Sequence, residues 1–160
     1  MLLYYYAFSY VFRNTIMPIE FYRERDLPYG CFSNFSKHSF VIDGQPWQTI
    51  EHYFQAQKFK GMPREHEIQV APDPMTAKRL GNERTTPIRS DWEAVKDAVM
   101  YEAVLAKFSQ HDDIQAVLLS TGDETIVEAA YNDSYWGWGP DRQGQNKLGL
   151  TLMQVRGERR

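Results

Sequence analysis

The sequence predicts a single α+β domain, mainly helical, with a small antiparallel sheet. Three observations carry this expectation. Apolar residues recur at helical spacing in several capped segments, most clearly over residues 92–108. Asp43-Gly44 lies between two short β-prone runs, and both residues tolerate the positive φ of a tight hairpin turn. The 160 residues contain no internal repeat, low-complexity tract or linker, and a chain of that length suits one sizeable core.

The elements follow in order. Residues 19–22 read as a strand and 23–30 as a charged turn with Pro28 and Gly30. Residues 39–42 and 45–47 flank the Asp43-Gly44 turn. A helix follows from Thr49, whose hydroxyl can cap the first turn. Glu51 then sits where the helix dipole favours negative charge. Glu51, Gln55 and Lys58 share one helical face. An exposed Glu–Lys pair is the commoner reading of such a face, but here it is narrow and flanked by aromatics, as in a pocket wall. Gly61 to Pro63 ends this helix, and Pro63 opens a short one through Val70. Asp73-Pro74 opens a third, with Met75, Ala77 and Leu80 as its buried side and Gly81 as its stop. Ser90 and Glu93 have the spacing of a capping box before a long helix buried through Trp92, Val95, Val99, Ala103 and Ala106. Residues 113–119 form another helix, ended by Gly122, and residues 125–129 a strand. A loop rich in aromatic residues and glycine covers 131–149, and Asn146 is placed to cap a last helix buried through Leu148, Leu152 and Val155.

Composition narrows the function. Apolar residues make up 42% and charged residues 24%, a balance that folds. The aromatic share of 14% is high, and aromatics line pockets for flat ligands as well as filling cores. A net charge of −3 with both signs interspersed excludes a nucleic-acid wrapper. Cys31 is the single cysteine, so no intrachain disulfide forms, and a reducing compartment, the cytoplasm, is expected. Residues 2–12 are apolar and aromatic but too short to span a bilayer, and they lack the basic start of a signal peptide. Residues 1–16 are therefore expected to be a tail outside a domain at 17–160.

His38, His52, His66 and His111 have no metal-ligand spacing, there is no CxxC, and neither a P-loop nor a dinucleotide fingerprint occurs. No metal or cofactor is expected. Cys31 beside Phe32 reads as packing. The glycines of 137–149, with the helix start at Asn146, have the makings of a phosphate cradle. Two carboxylates in aromatic company remain, Glu51 and Asp133. An ionised carboxylate stabilises the positive charge that grows at a sugar carbon during glycosidic cleavage and can activate water. Glu51, in a first helical turn, is expected to stay ionised for this role. The bland alternatives are a surface residue for Glu51 and a turn-former for Asp133.

These residues carry a family resemblance. The segment Trp47-x-Thr49-x-Glu51-His52-Tyr53-Phe54-Gln55-Ala56-Gln57-Lys58-Phe59 resembles the signature of the YbiA-like family, also called NADAR. Phe32-Ser33-Asn34-Phe35 precedes it. Arg89-x-Asp91-Trp92, Lys96 with Val99-Met100, Lys107-Phe108, Asn132-Asp133-x-Tyr135-Trp136-Gly137 and Gly144-x-Asn146-x-Leu148-Gly149 follow in order, covering about residues 19–156. The resemblance implies an N-glycosidase of one compact, mainly helical domain. It implies a small phosphoribosyl substrate, namely the phosphoribosylamino-pyrimidine intermediates of riboflavin biosynthesis, cleaved to a free pyrimidine and ribose 5-phosphate. Other members act on ADP-ribose compounds, including ADP-ribosyl-guanine, and only that alternative involves nucleic acid. A non-catalytic ADP-ribose binder is the third reading. The family's functional positions carry over to Glu51 and Asp133 as catalytic residues and to Trp92 and Trp136 as a sandwich for the base. Lys58, with Arg23 or Arg89, is expected at the phosphate, and Asn34 and Asn146 are expected to touch substrate. Trp138 departs from the family pattern, which has a smaller or acidic residue there. Oligomeric state is not legible in the sequence.

Overall fold

The computed structural model describes residues 17–160, so the expected tail at 1–16 lies outside the described residues. The hairpin forms as the turn chemistry predicts. β2 (Phe40–Ile42) pairs antiparallel with β3 (Gln45–Trp47), and Asp43 and Gly44 take φ of 51° and 75°. β1 (Ile19–Phe21) instead lies parallel to β4 (Ile126–Glu128), with Phe21 opposite Glu128. Nothing local signals this long-range pair, since a parallel partner arrives through the intervening chain.

Among the described residues, six helices pack around these strands. α1 (Ile50–Gln57) starts at Thr49, whose Oγ1 accepts from the His52 amide at 3.3 Å. α2 (Pro63–Gln69) begins on its proline, and α3 (Pro74–Asn82) on Asp73, which accepts from the Thr76 amide at 2.8 Å. α4 (Trp92–Gln110) runs through the core, followed by α5 (Asp112–Ser120) and α6 (Lys147–Glu158). α1 packs against α2, α3 and α4, and α6 against α4 and β4.

Three local expectations are corrected. The Ser90–Glu93 capping box does not form: Asp91 holds the N-cap position without a side-chain cap, and Glu93 pairs with Lys96. Gly81 does not end its helix; α3 continues to Asn82, and a Cβ at Gly81 would stand 2.1 Å from Gln55 Oε1. Its role is close approach between α1 and α3. Met75, expected inside, is 63% exposed, because its side of α3 faces a cavity rather than the core.

α1 is buried along its whole length, polar residues included. Most of those polar groups are therefore matched. His52 accepts at Nδ1 from Thr49 Oγ1 (2.8 Å) and donates from Nε2 to Ala71 O (3.1 Å), which fixes a neutral ring; burial lowers its pKa. Lys107, fully buried on α4, donates from Nζ to Cys31 O, Ser33 O and Ser36 Oγ. Its three donors meet three acceptors, and this clamps the segment between a 3₁₀ turn at Tyr29–Phe32 and β2. Burial lowers the Lys107 pKa to about 7. Replacing Lys107 with Met strands those acceptors and is expected to cost about 3 kcal/mol of stability, read from urea denaturation at neutral pH.

Candidate active site

A cavity of about 790 Å³ opens where the segment after β1, the segment before β2, α1, α3 and the loop after β4 converge. Glu51, Asp133, Trp136, Lys58, Asn34 and Arg23 all line it. Residues far apart in sequence, each expected at a site, thus meet in one concavity.

Glu51 lies against the inner wall and is 6% exposed. Its Oε1 accepts from Gln55 Nε2 at 2.8 Å, and its amide donates to Asn34 O at 3.0 Å. Loss of water pushes its carboxyl pKa up; the Gln55 amide, Lys78 and Lys58 oppose that rise, and Asp133 adds to it. The expectation that the helix dipole simply keeps Glu51 ionised is corrected in direction, because desolvation is the larger effect. Gln55 lines the cavity, whereas His52 is not among its lining residues.

Asp133 serves two roles. Its Oδ1 accepts from the amides of Tyr135 (2.9 Å) and Trp136 (2.8 Å), the turn-forming part, and the residue also lines the cavity. The turn presents Trp136, which meets Phe54 edge-to-face at 5.3 Å. Trp92 meets the same Phe54 at 5.0 Å and is 5% exposed. It does not line the cavity, so the expected Trp92–Trp136 sandwich is corrected: Phe54 stands between them, and Trp92 props it.

Lys58 is buried, with Nζ donating to Gly81 O and Asn82 Oδ1 at 3.2 Å each and lying 6.0 Å from the Phe54 and Trp92 ring centroids. Burial lowers its pKa to about 8. A third N–H is left for a ligand. Arg23 lines the mouth, joined by Arg25 and Lys78, which the sequence reading did not single out. Arg89 is withdrawn from the site by a bidentate pair with Asp91 (2.6 and 2.8 Å); its backbone amide supports Lys58 O instead.

Asn146 is also corrected. It stands at the N-cap position of α6 with φ of 51° but makes no cap hydrogen bond. Its side chain accepts from the Glu128 amide (3.0 Å) and donates to Ile126 O (2.9 Å), pinning β4. The glycine-rich loop does not cradle phosphate, because its amides are used internally: Trp138 N donates to Glu128 O, Gly139 N to Ala130 O and Gly144 N to Trp138 O. Trp138 lies under the Arg142 guanidinium at 4.3 Å, outside the cavity lining. Cys31 is buried, with its thiol pKa raised, which fits packing.

The residue the sequence reading missed is Glu128, taken only as part of a strand. It lines the cavity, and its Oε2 is buried without a hydrogen-bond partner among the described residues, as are Gln55 Oε1 and Asn34 Oδ1. Desolvation, then Asp133 and Glu51, push its carboxyl up to about 7. An acid directly after Ile126 and Val127, both fully buried, was the available signal. Among the described residues no group of His, Cys, Asp or Glu is placed to hold a metal, and no helix is long and apolar enough to cross a membrane.

A family model described as the NADAR domain matches residues 20–160. The chain belongs to the NADAR family. It is 46% identical to N-glycosidase YbiA of Escherichia coli, over 92% of this chain and 91% of that protein. It is 50% identical to N-glycosidase Npun_R5314 of Nostoc punctiforme, over 89% and 92%. The riboflavin biosynthesis protein PYRR, chloroplastic, of Zea mays is 40% identical over 88% of this chain, which spans 25% of that protein. The NMR structure of the E. coli protein YbiA superposes with a TM-score of 0.81, covering 88% of this chain and 83% of that one. The α+β, mainly helical fold expected from the sequence is thereby the fold of this NADAR domain.

Glu128 makes the site's strain measurable. Its folded pKa of about 7 lies above the ordinary 4.5, so between those values the folded chain holds a proton that the unfolded chain releases. Stability falls as pH rises through that window, and the full penalty stands above it. Glu128→Gln is expected to gain roughly 2–3 kcal/mol more over wild type at pH 8 than at pH 4, read from urea denaturation at both values.

Proposed function

We propose that this chain is a cytoplasmic N-glycosidase that hydrolyses phosphoribosylamino-pyrimidine intermediates of riboflavin biosynthesis to a free pyrimidine and ribose 5-phosphate. One observation carries the reading: a single cavity combines an acidic interior, an aromatic wall and a mouth where Arg23, Arg25 and Lys78 outnumber the single carboxylate of Glu24. That layout matches a substrate with a ribosyl carbon that becomes positive, a flat base and a phosphate. The names of the relatives, N-glycosidase and riboflavin biosynthesis protein, agree with it.

As the bond between the anomeric carbon and nitrogen breaks, positive charge grows on the sugar. Glu51 faces that charge as a carboxylate and orients the attacking water. Burial strengthens this interaction, since a carboxylate with little water around it attracts a cation more strongly. Asp133 positions the ribose hydroxyls or the water, Trp136 and Phe54 hold the base, and Lys58 with Arg23, Arg25 and Lys78 holds the phosphate. Asn34 and Gln55 offer amides to the sugar.

The second reading is removal of ADP-ribose from a guanine base or nucleotide. The observation favouring it is the spread of cations from buried Lys58 to exposed Arg23, Arg25 and Lys78, which offers places for two phosphates. Both readings need Glu51. Glu51→Gln preserves the side-chain volume and is expected to fold normally while kcat for ribose 5-phosphate release falls by about 10³ or more. A folded variant with full turnover would remove Glu51 from the mechanism.

A further inference from the structure

We infer that Glu128 is a further catalytic residue, the acid that protonates the departing nitrogen; this rests on the hydrolase reading above. Three observations support it. First, Glu128 lines the same cavity as Glu51 and Asp133, and its Oε2 is buried with no partner among the described residues. Buried carboxyl oxygens in folded proteins are ordinarily hydrogen-bonded, and a nitrogen in the cavity supplies the missing partner. Second, the backbone of Glu128 is held on both sides. Its amide donates to Asn146 Oδ1, and its carbonyl accepts from Trp138 N at 3.0 Å. Gly149 permits the approach of Asn146, since a Cβ there would stand 2.5 Å from Asn146 Nδ2. An acid in a glycosidase needs such fixed placement. Third, the surrounding charges divide the labour between two carboxyls. Gln55 donates to Glu51, and Lys78 and Lys58 oppose the rise that burial imposes on it, whereas nothing donates to Glu128 Oε2 among the described residues. Burial, then Asp133 and Glu51, raise the Glu128 carboxyl to about 7 with only Lys78 opposing them, so a large share of it carries a proton at neutral pH. Arg23, Glu24 and Arg25 line the mouth of the same cavity.

The step balances as follows. The bond from anomeric carbon to nitrogen breaks, and its electron pair stays on nitrogen. The Glu128 proton moves to that nitrogen, giving the free aminopyrimidine. Water bonds to the anomeric carbon and releases a proton, and Glu128 regains one from solvent. One water is consumed, and no oxidant or reductant is needed.

The test compares two leaving groups on wild type, Glu51→Gln and Glu128→Gln. One substrate is the phosphoribosylamino-pyrimidine, whose nitrogen needs a proton to leave. The other is p-nitrophenyl ribofuranoside 5-phosphate, whose nitrophenolate leaves without one. Glu128→Gln is expected to lose about 100-fold or more in kcat on the first and to stay within a few-fold of wild type on the second, whereas Glu51→Gln loses both. The wild-type loss of turnover on the aminopyrimidine above pH 7 also disappears in Glu128→Gln. Equal losses on both substrates, or an unchanged aminopyrimidine rate, would overturn the acid role and leave the hydrolase reading intact. Wild-type inactivity on both substrates would overturn that reading and the role with it. If Glu128→Gln fails to fold, wild type alone decides: its rate depends weakly on leaving-group basicity at pH 6 and steeply at pH 9 if Glu128 is the acid, and equally at both if it is not.

Discussion

A carboxyl group with almost no water around it is the constraint on which this structure depends. Glu51 rides on a helix with no wet face, enclosed by α2, α3 and α4. Such a group is stable only if its neighbours are arranged for it. Gln55 donates to it, Lys58 and Lys78 attract it, and Asn34 O holds its amide. Gly81 lets α3 press against Gln55, which keeps that amide in place. Packing among apolar side chains thereby sets the chemistry of one polar one.

The charges around the cavity are graded. Glu51, Glu128 and Asp133 face inward, while Arg23, Arg25 and Lys78 lie at the exposed mouth. An anionic phosphate is drawn to the mouth, and a cation forming on the sugar is stabilised deeper. Two anchors outside the cavity hold this arrangement. Lys107 clamps the segment that carries Asn34, and the Asn146 side chain ties α6 to β4 and so places Glu128.

Much of this was legible in the sequence because the signals were local. Thr49, Asp73 and Asp43-Gly44 specify caps and a turn through atoms within a few residues, and all three behave as that chemistry dictates. Glu51, Asp133, Trp136 and Lys58 stood out by their company, reinforced by the family pattern, and the fold gathers them. Most of the misses share one cause: the deciding partner is distant in the chain. Asn146 looks like a cap until β4 arrives beside it. Trp92 looks like a stacking surface until Phe54 lies in front of it. Glu128 looks like an ordinary strand residue until Glu51 and Asp133 face it. Arg89 is a local miss, since Asp91, two residues on, pairs with it. Burial of Glu51 likewise follows from tertiary packing that periodicity alone leaves open.

The most direct measurement is product release by wild-type protein incubated in parallel with the phosphoribosylamino-pyrimidine, ADP-ribosyl-guanine and NAD. Ribose 5-phosphate appearing from the first, with a higher kcat/KM than ADP-ribose release from the other two, is the predicted result. Absence of ribose 5-phosphate from the first substrate would contradict the account.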